Sequence, residues 1–482
     1  MSKHPNILFI LPDQLRADFL GCYGADFLKT PHVDGLAEIG TRYDAAISPS
    51  PICVPARASM LTGQDAHETG VVHNLAWLRP DRREMGIETW PERLNAAGYH
   101  TLAIGKMHFY PWDINEGFQT RVIAEDKRHI HIHDDYHDAL ASENFEKLHG
   151  IDQEGYAEQK GASINALPDH LQPDRWVADQ AIQALKSHDP DQPFAMMVGF
   201  PGPHCPYDPP AEALKDVDAG AMPSAIPQTD EARTHHAEFV ASYKRPWADI
   251  DYSNLSAAEI ETIRQYYCAS VERIDSDVGR LLNTLRETGQ LDNTIVVFSS
   301  DHGDYLGDFG LMGKGYFHEP SIRVPLIVAD FRAPTQAKVD NSVVSLTDLH
   351  ASFAAWGSIT PSAAATGPTL GSAPADRVVI GVTSQGMMAR SQRWKLVRYK
   401  NGMQALFDLS NDPTEQINQI AEHPQIREEL DAALTASLLE ATKTSFADRY
   451  VAEAKSPPDH PFHRRDWRRD FPSRIGQDAS KL

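Results

Sequence analysis

The chain has 482 residues, 41% of them hydrophobic, with a formal net charge of −22 at pH 7 and a sequence pI near 5.4. Length and apolar content suit one large α/β domain with a smaller companion, and so acidic a balance excludes a broad basic groove for nucleic acid. An anionic small substrate would need a local cluster of positive groups set against the global field.

The chain opens MSKHPNILFILPDQ, whose apolar run over residues 7–11 is far shorter than a signal-peptide core or a membrane span. No other stretch approaches a span, so no membrane association is expected. Cys22, Cys53, Cys205 and Cys268 are scattered without C-x-x-C spacing, which argues against a disulfide framework or a cysteine zinc site and leads us to expect a cytoplasmic protein. NILFIL from Asn6, TLAIG from Thr101, FAMMVGF from Phe194, TIVVFSS from Thr294 and VPLIV from Val324 lack polar alternation and read as buried parallel strands. Helical stretches lie between them. In YYCASVERIDSDVGRLLNTLRETG, Tyr267, Val271, Ile274, Val278, Leu281 and Leu285 recur at spacings of three and four, and Gly289 suits a C-cap. The alternation predicts an α/β domain over residues 1–375: a large, mostly parallel central sheet with helices on both faces.

The Pro-, Gly-, Ala- and Ser-rich SITPSAAATGPTLGSAPAD reads as a connection. Beyond Arg377, RVVIGVT, GMMARSQ, RWKLVRY and ALFDLSND read as short antiparallel strands, followed by the helix HPQIREELDAALTASLLEAT. Together they predict a small α+β subdomain over residues 376–455. Residues 456–482 are rich in Pro and Arg. They cannot bury much surface alone, so they are either disordered or an arm around a second copy, and a homo-oligomer held through this tail is the expected assembly.

Polar residues fall in a pattern. Asp13 and Gln14 follow the first strand, Lys106 and His108 the second, His204 the third, and Asp301 and His302 the fourth. In open α/β sheets ligand sites lie past the C-terminal ends of the strands, so these groups are expected at one site. Asp13, Asp301 and His302 can ligate a divalent metal, and Gln14 can add an amide oxygen. The imidazole favours Mn²⁺ or another transition ion over Ca²⁺. Taken singly, Asp13 and Asp301 read equally well as helix N-caps. The segment SPICVPARASMLTGQ places Cys53 at a helix start, with Pro55 in the first turn and Gly63 at the end. Unpaired backbone N–H groups there favour an anion, and Arg57, one turn in, can stabilise a reacting oxygen at position 53. A thiolate phosphatase loop would need arginine where Ser59 stands. The ordinary fate of a lone cysteine is that of a small buried hydrophobe.

CVPAR followed by MLTG resembles the C-x-P-S/A-R…LTG signature of the type I sulfatases, in the alkaline phosphatase superfamily. In that family the cysteine is converted to formylglycine by a formylglycine-generating enzyme. PNILFILPDQLRADFLGCYG, TPHVDGLAEIGTRYDAAIS, IGKMHF, GFPGPHCP, VVFSSDHGDYLGDFGLMGKG, RWKLVRY and ALFDLSNDPTE are similar to further family segments in the same order. The resemblance implies an alkaline phosphatase-like fold and hydrolysis of a small anionic sulfate ester. It implies that Asp13, Gln14, Asp301, His302 and modified Cys53 hold one divalent ion, with Arg57 stabilising the formylglycine hydrate. Lys106 and Lys314 would bind sulfate oxygens, His108 would act as base on the hydrate, His204 would serve the leaving oxygen, and Asn74 would contact substrate. Gln14 and His302 depart from the aspartate and asparagine of many members. They resemble the branch of choline sulfatases, phosphonate monoester hydrolases and bacterial arylsulfatases, which puts Ca²⁺ in doubt against Mn²⁺, with Ca²⁺ and Mg²⁺ retained as alternatives, and leaves phosphorus esters open. A non-catalytic binding protein is disfavoured by the intact set of these residues.

HIHIHDDYHD, from His129, is expected to form a pocket wall or lid in preference to a second metal site. His235 and His236 are expected at the surface, and Trp112 and Tyr136 to be packing residues.

Overall fold

Apolar runs without alternation become strands covered on both faces. In the computed structural model, which describes residues 4–446 except 149, 216 and 243–249, β1 (Asn6–Asp13) is buried at every position. With β2 (Thr41–Ile47), β3 (His100–Gly105), β4 (Thr120–Ile123), β5 (Phe194–Pro203), β6 (Thr294–Ser299), β7 (Leu326–Asp330) and β8 (Lys338–Ser345) it forms an eight-stranded sheet, ordered β4-β3-β5-β1-β6-β7-β2-β8. β1 pairs parallel with β5 and β6, and β3 with β4 and β5. The C-terminal ends of the four neighbours β3, β5, β1 and β6 therefore open on one edge, as the sequence pattern requires.

β7 corrects one expectation. VPLIV reads as a parallel strand, but β7 runs antiparallel to both β6 and β2. A buried apolar run reports that both faces are covered, not the chain direction. Parallel return needs a crossover, and the longest α-helix between β6 and β7 is the four-residue Glu319–Ile322.

Successive β1 side chains enter different cores. Leu8 and Ile10 pack with Ile274, Val278 and Leu281 of the helix Ala257–Glu287. Ile7, Phe9 and Leu11 pack with Leu349 and Phe353 of the helix Asp348–Trp356. Helices thus cover both faces. Ala257–Glu287 begins at a capping box of Ser256 and Glu259, and Gly289 beyond its end has φ 69°.

β9 (Val379–Thr383), β10 (Gly386–Arg390), β11 (Trp394–Tyr399) and β12 (Gln404–Asp408) form a separate antiparallel sheet in the order β12-β11-β10-β9. Leu396 and Leu406 share a core with Leu430 and Leu434 of the helix Pro424–Phe446. Lys395 Nζ, fully buried, lies 3.0 Å from Glu319 Oε1 and 2.5 Å from Glu415 Oε1, fastening β11 to the segment that follows β6. The Pro- and Gly-rich connection is packed rather than loose: Thr366 N donates to Gly63 O at 3.0 Å.

The chain divides into compact units of residues 1–437 and 438–482, and of the second only the end of the helix Pro424–Phe446 is described. The tail 456–482, expected to be an arm, lies outside the described residues. Among the described residues no helix is long and apolar enough to cross a membrane. The surface position expected for His236 is wrong. It is fully buried, its ring 4.7 Å from Tyr316 and 5.3 Å from His318, because it lies on the inner face of a helix whose polar neighbours mask it in sequence. The side chain of His235 lies outside the described residues.

Candidate active site

Cys53 is the first residue of the helix Cys53–Thr62, every position of which is buried. Ile52, the N-cap, has no side chain to cap the helix, and Asn74 Oδ1 accepts from Val54 N at 3.1 Å instead. Gly63 ends the helix at φ 72°, donating to Ser59 O, and a Cβ there would press on Ala365 and His350. The Cys53 side chain is thereby fixed at the C-terminal edge of the sheet.

Asp13 ends β1, and Asp301 and His302 follow β6. Arg57 joins the two carboxylates: NH2 lies 3.1 Å from Asp13 Oδ2 and Nε 2.9 Å from Asp301 Oδ2, all of them fully buried. Their other oxygens face inward. Asp13 Oδ1 lies 3.9 Å from Cys53 Sγ and 4.0 Å from His302 Nε2, and Asp301 Oδ1 lies 3.8 Å from the same nitrogen. His302 Nδ1 is 3.0 Å from Gly303 O, which assigns its proton there and leaves Nε2, 3.1 Å from Cys53 Sγ, as a donor atom for a metal.

One ligand atom from each of Asp13, Cys53, Asp301 and His302 lies within 4.8 Å of the others. These residues fit a divalent cation on the chemistry of the donors: two carboxylates, an imidazole nitrogen and a thiol converge, all four residues buried. The electrostatics agree. Burial and the charge of Asp13 push the Asp301 carboxyl up. Burial and Cys53 oppose ionisation of Asp13, yet Lys106 and Arg57 hold it well below the usual range. Burial raises the Cys53 thiol, but Lys314, His302 and a hydrogen bond from His108 outweigh it and pull the thiol well down.

Gln14 is held in the left-handed region at φ 67°. Its Nε2 donates to Asp304 Oδ2, and its Oε1 accepts from Lys314 Nζ at 2.5 Å. Lys314 Nζ also lies 2.8 Å from His204 Nε2. Lys106, fully buried, lies 3.0 Å from Asp13 Oδ2 and 2.8 Å from Asp126 Oδ2, and Arg57 NH1 donates to its carbonyl at 2.6 Å. His108 sits at φ 55°, its N–H on Glu125 Oε1 at 3.1 Å. The ring of His129 lies 5.6 Å from that of His108, and His131 5.5 Å further along, so the histidine-rich run flanks the site. Among the described residues it gathers no three-ligand metal group. Tyr136 packs on Trp176 and donates to Leu171 O, as a packing residue.

The structure therefore brings together Asp13, Gln14, Cys53, Arg57, Lys106, His108, His204, Asp301, His302 and Lys314, and places Asn74 at the start of the cysteine helix. Sequence reading missed Asp126, Arg128, Asp304 and Tyr207. Asp304 takes a bond from Gln14, 2.8 Å bonds from Tyr207 OH and Gly313 N, and so sets both Gln14 and the loop bearing Lys314. Its signal was present as the second aspartate of DHGD. Asp126 and Arg128 follow the half-buried edge strand β4, which carries no apolar run to point at them.

The eight-stranded α/β sheet thus gathers at one edge the candidate metal group Asp13, Cys53, Asp301 and His302 and the cationic side chains of Arg57, Lys106, Arg128 and Lys314. The Sulfatase family profile matches residues 5–359. An arylsulfatase of Clostridium perfringens (strain 13 / Type A) is 30% identical over 377 residues, covering 72% of this chain and 73% of that protein. A choline-sulfatase of Rhizobium meliloti (strain 1021) is 30% identical over 483 residues, covering 93% and 86%. The crystal structure of a phosphonate monoester hydrolase of Agrobacterium radiobacter superposes with a TM-score of 0.79 at 21% identity, covering 91% of this chain and 96% of that one, and so shares the fold. The chain belongs to the sulfatase family, in the alkaline phosphatase superfamily.

Proposed function

We propose that the chain is an arylsulfatase-like hydrolase of sulfuric esters whose nucleophile is made from Cys53. The observation that carries this reading is the placing of Cys53 Sγ, 3.1 Å from His302 Nε2 and 3.9 Å from Asp13 Oδ1 at the start of a buried helix. Sγ stands in for the oxygen of formylglycine, which a formylglycine-generating enzyme would install. The modified residue supplies a hydrate, with one hydroxyl to attack sulfur and a second whose deprotonation re-forms the carbonyl and expels sulfate. Asp13, Asp301, His302 and the modified residue, with Gln14 beside them, would hold one divalent ion, Mn²⁺ in preference to Ca²⁺ or Mg²⁺ because His302 offers nitrogen. Bound there, the ion lowers the pKa of a hydroxyl and offsets charge on the ester.

The chain's own groups do the rest. Arg57 locks both carboxylates and keeps their free oxygens inward. An ammonium has three N–H groups, so Lys106, with Asp13 and Asp126 on two, has one left for a sulfate oxygen. Lys314 binds a second. His108, hydrogen-bonded at position 53, takes the proton that releases sulfate. His204 and Lys314 meet the leaving oxygen as a pair, and Asn74 steadies the cysteine helix on the substrate side. These cations supply the local positive field that an acidic chain otherwise lacks.

Hydrolysis of phosphonate monoesters or phosphodiesters at the same site is the second reading. It is favoured by the neutral Gln14 amide, in place of a second carboxylate, against Lys314. Comparing kcat/KM for one aryl alcohol esterified to sulfate, phosphonate and phosphodiester separates the two. The first reading expects sulfate to be fastest. No turnover of any of the three by converted, metal-loaded protein would refute both.

A further inference from the structure

Asp126 is a buried carboxylate to which the reaction outlined above gives no task beyond occupying one N–H of Lys106. β4 ends at Ile123, and the chain from Ala124 to Lys127 is buried. A turn closed by His129 N on Asp126 O at 2.8 Å then separates the side chains. Lys127 turns away to Pro206 O and Asp208, while Asp126 and Arg128 turn toward the site. Arg128 grips Asp126 with a fork, Nε to Oδ1 and NH2 to Oδ2, each 2.9 Å. The same Oδ2 lies 2.8 Å from Lys106 Nζ and 3.9 Å from His204 Nδ1, and Arg128 NH2 is 3.5 Å from His204 Nε2. Asp126 is therefore one ammonium group away from Asp13 and the candidate metal group.

A carboxylate in this place has a consequence for charge. Sulfate monoesters, phosphonate monoesters and phosphodiesters each carry one negative charge. A phosphate monoester carries close to two at neutral pH, since its second proton leaves near pH 6. The geometry of the transferring group is tetrahedral in every case, so shape separates these substrates poorly and local charge separates them well.

Resting on the sulfatase reading, we propose that Asp126 is a specificity-determining positioning residue: its carboxylate, shared by Lys106 and Arg128, offsets one cation of the site and so selects singly charged esters over phosphate monoesters. It acts through Lys106, which it holds in place against the reacting group, and not by touching substrate.

The test is a ratio: kcat/KM for an aryl phosphate divided by kcat/KM for whichever singly charged aryl ester the wild type prefers. Asp126→Asn is expected to raise the ratio at least about tenfold, because an uncompensated unit charge beside Lys106, the group assigned to a sulfate oxygen, acts differentially on the extra charge. Asp126→Glu keeps the charge and is expected to leave the ratio within about threefold. Arg128→Gln removes a cation from the same pair and is expected to lower it. A purely structural Asp126 would slow both substrates alike and leave the ratio fixed, which overturns the proposal. Should melting curves show that Asp126→Asn does not fold, Arg128→Gln decides by itself, and an unchanged or raised ratio there also overturns it. Converted, metal-loaded wild type that hydrolyses no singly charged ester refutes the sulfatase reading, a failure distinct from an active wild type whose ratio Asp126 does not move.

Discussion

Lys314 Nζ lies 2.8 Å from His204 Nε2, while His204 Nδ1 lies 2.7 Å from the Cys205 carbonyl oxygen. The carbonyl can only accept, so Nδ1 carries the imidazole proton and Nε2 accepts from the ammonium. Burial, with Lys314, Lys106 and Arg128 nearby, pushes His204 down to about 3, so the ring is neutral at neutral pH. The proton nearest a leaving oxygen is then on Lys314, and the two residues work as one unit.

His204→Ala and Lys314→Ala should each slow unactivated aryl sulfates by ~10²–10⁴-fold and nitrophenyl sulfate much less, since proton donation matters most for poor leaving groups. The double variant should lose little more than either single one. Steady-state rates over a series of substituted phenyl sulfates, with melting curves as the folding control, check this. An unchanged dependence on leaving-group pKa would remove the pair from that role.

Arg57 bridges two buried carboxylates, and removing it leaves both unpaired. Arg57→Ala should abolish turnover and destabilise the metal-free protein by about 3–5 kcal/mol. A divalent ion offsets the same charges, so Mn²⁺ should restore part of that loss. Urea unfolding with and without Mn²⁺ measures it, and a loss unaffected by the metal would contradict the placing of the ion among these groups.

Exhaustive chelation should abolish activity, and elemental analysis should find about one divalent ion per chain in active protein. Mn²⁺ should restore more activity than Ca²⁺ because one donor is an imidazole nitrogen. Equal recovery with Ca²⁺ would mean that His302 is not a ligand.

The main sheet was legible because β1, β5 and β6 are buried on both faces and so read as unbroken apolar runs. The site was legible because each run stops at a charged group. Cys53 and Arg57 stood out through Pro55 and Gly63, which frame a helix. What escaped lacked such marks. β4 is half-buried throughout and has no apolar signature, so nothing in the sequence pointed to Asp126 and Arg128 until the fold set them against Lys106. The direction of β7 depends on what connects it, which its own composition does not encode. Asn74 was named from the family resemblance, but its bond to the helix of Cys53 follows from Ile52, which cannot cap it.

Stability should also carry a pH signature away from the active site. His67 Nε2 lies 2.7 Å from Ser437 Oγ on the helix Pro424–Phe446, and burial lowers its pKa to about 4. The unfolded chain binds the proton more tightly, near pH 6.5. The contribution is thus complete above about pH 6.5 and is lost as pH falls toward 4. His67→Gln, which keeps a hydrogen-bonding side chain but cannot titrate, should gain about 2 kcal/mol on the wild type between pH 7.5 and pH 5. Paired urea titrations at the two pH values test this, and parallel losses in both proteins would refute it.

The most direct measurement is the mass of the peptide containing Cys53, taken on the same samples whose turnover of an aryl sulfate is recorded. The expected result is a peptide in which H₂S has been replaced by O, in a fraction that rises in proportion to specific activity across preparations made with and without a formylglycine-generating enzyme. Fully active protein that carries only the unmodified Cys53 thiol would contradict the account.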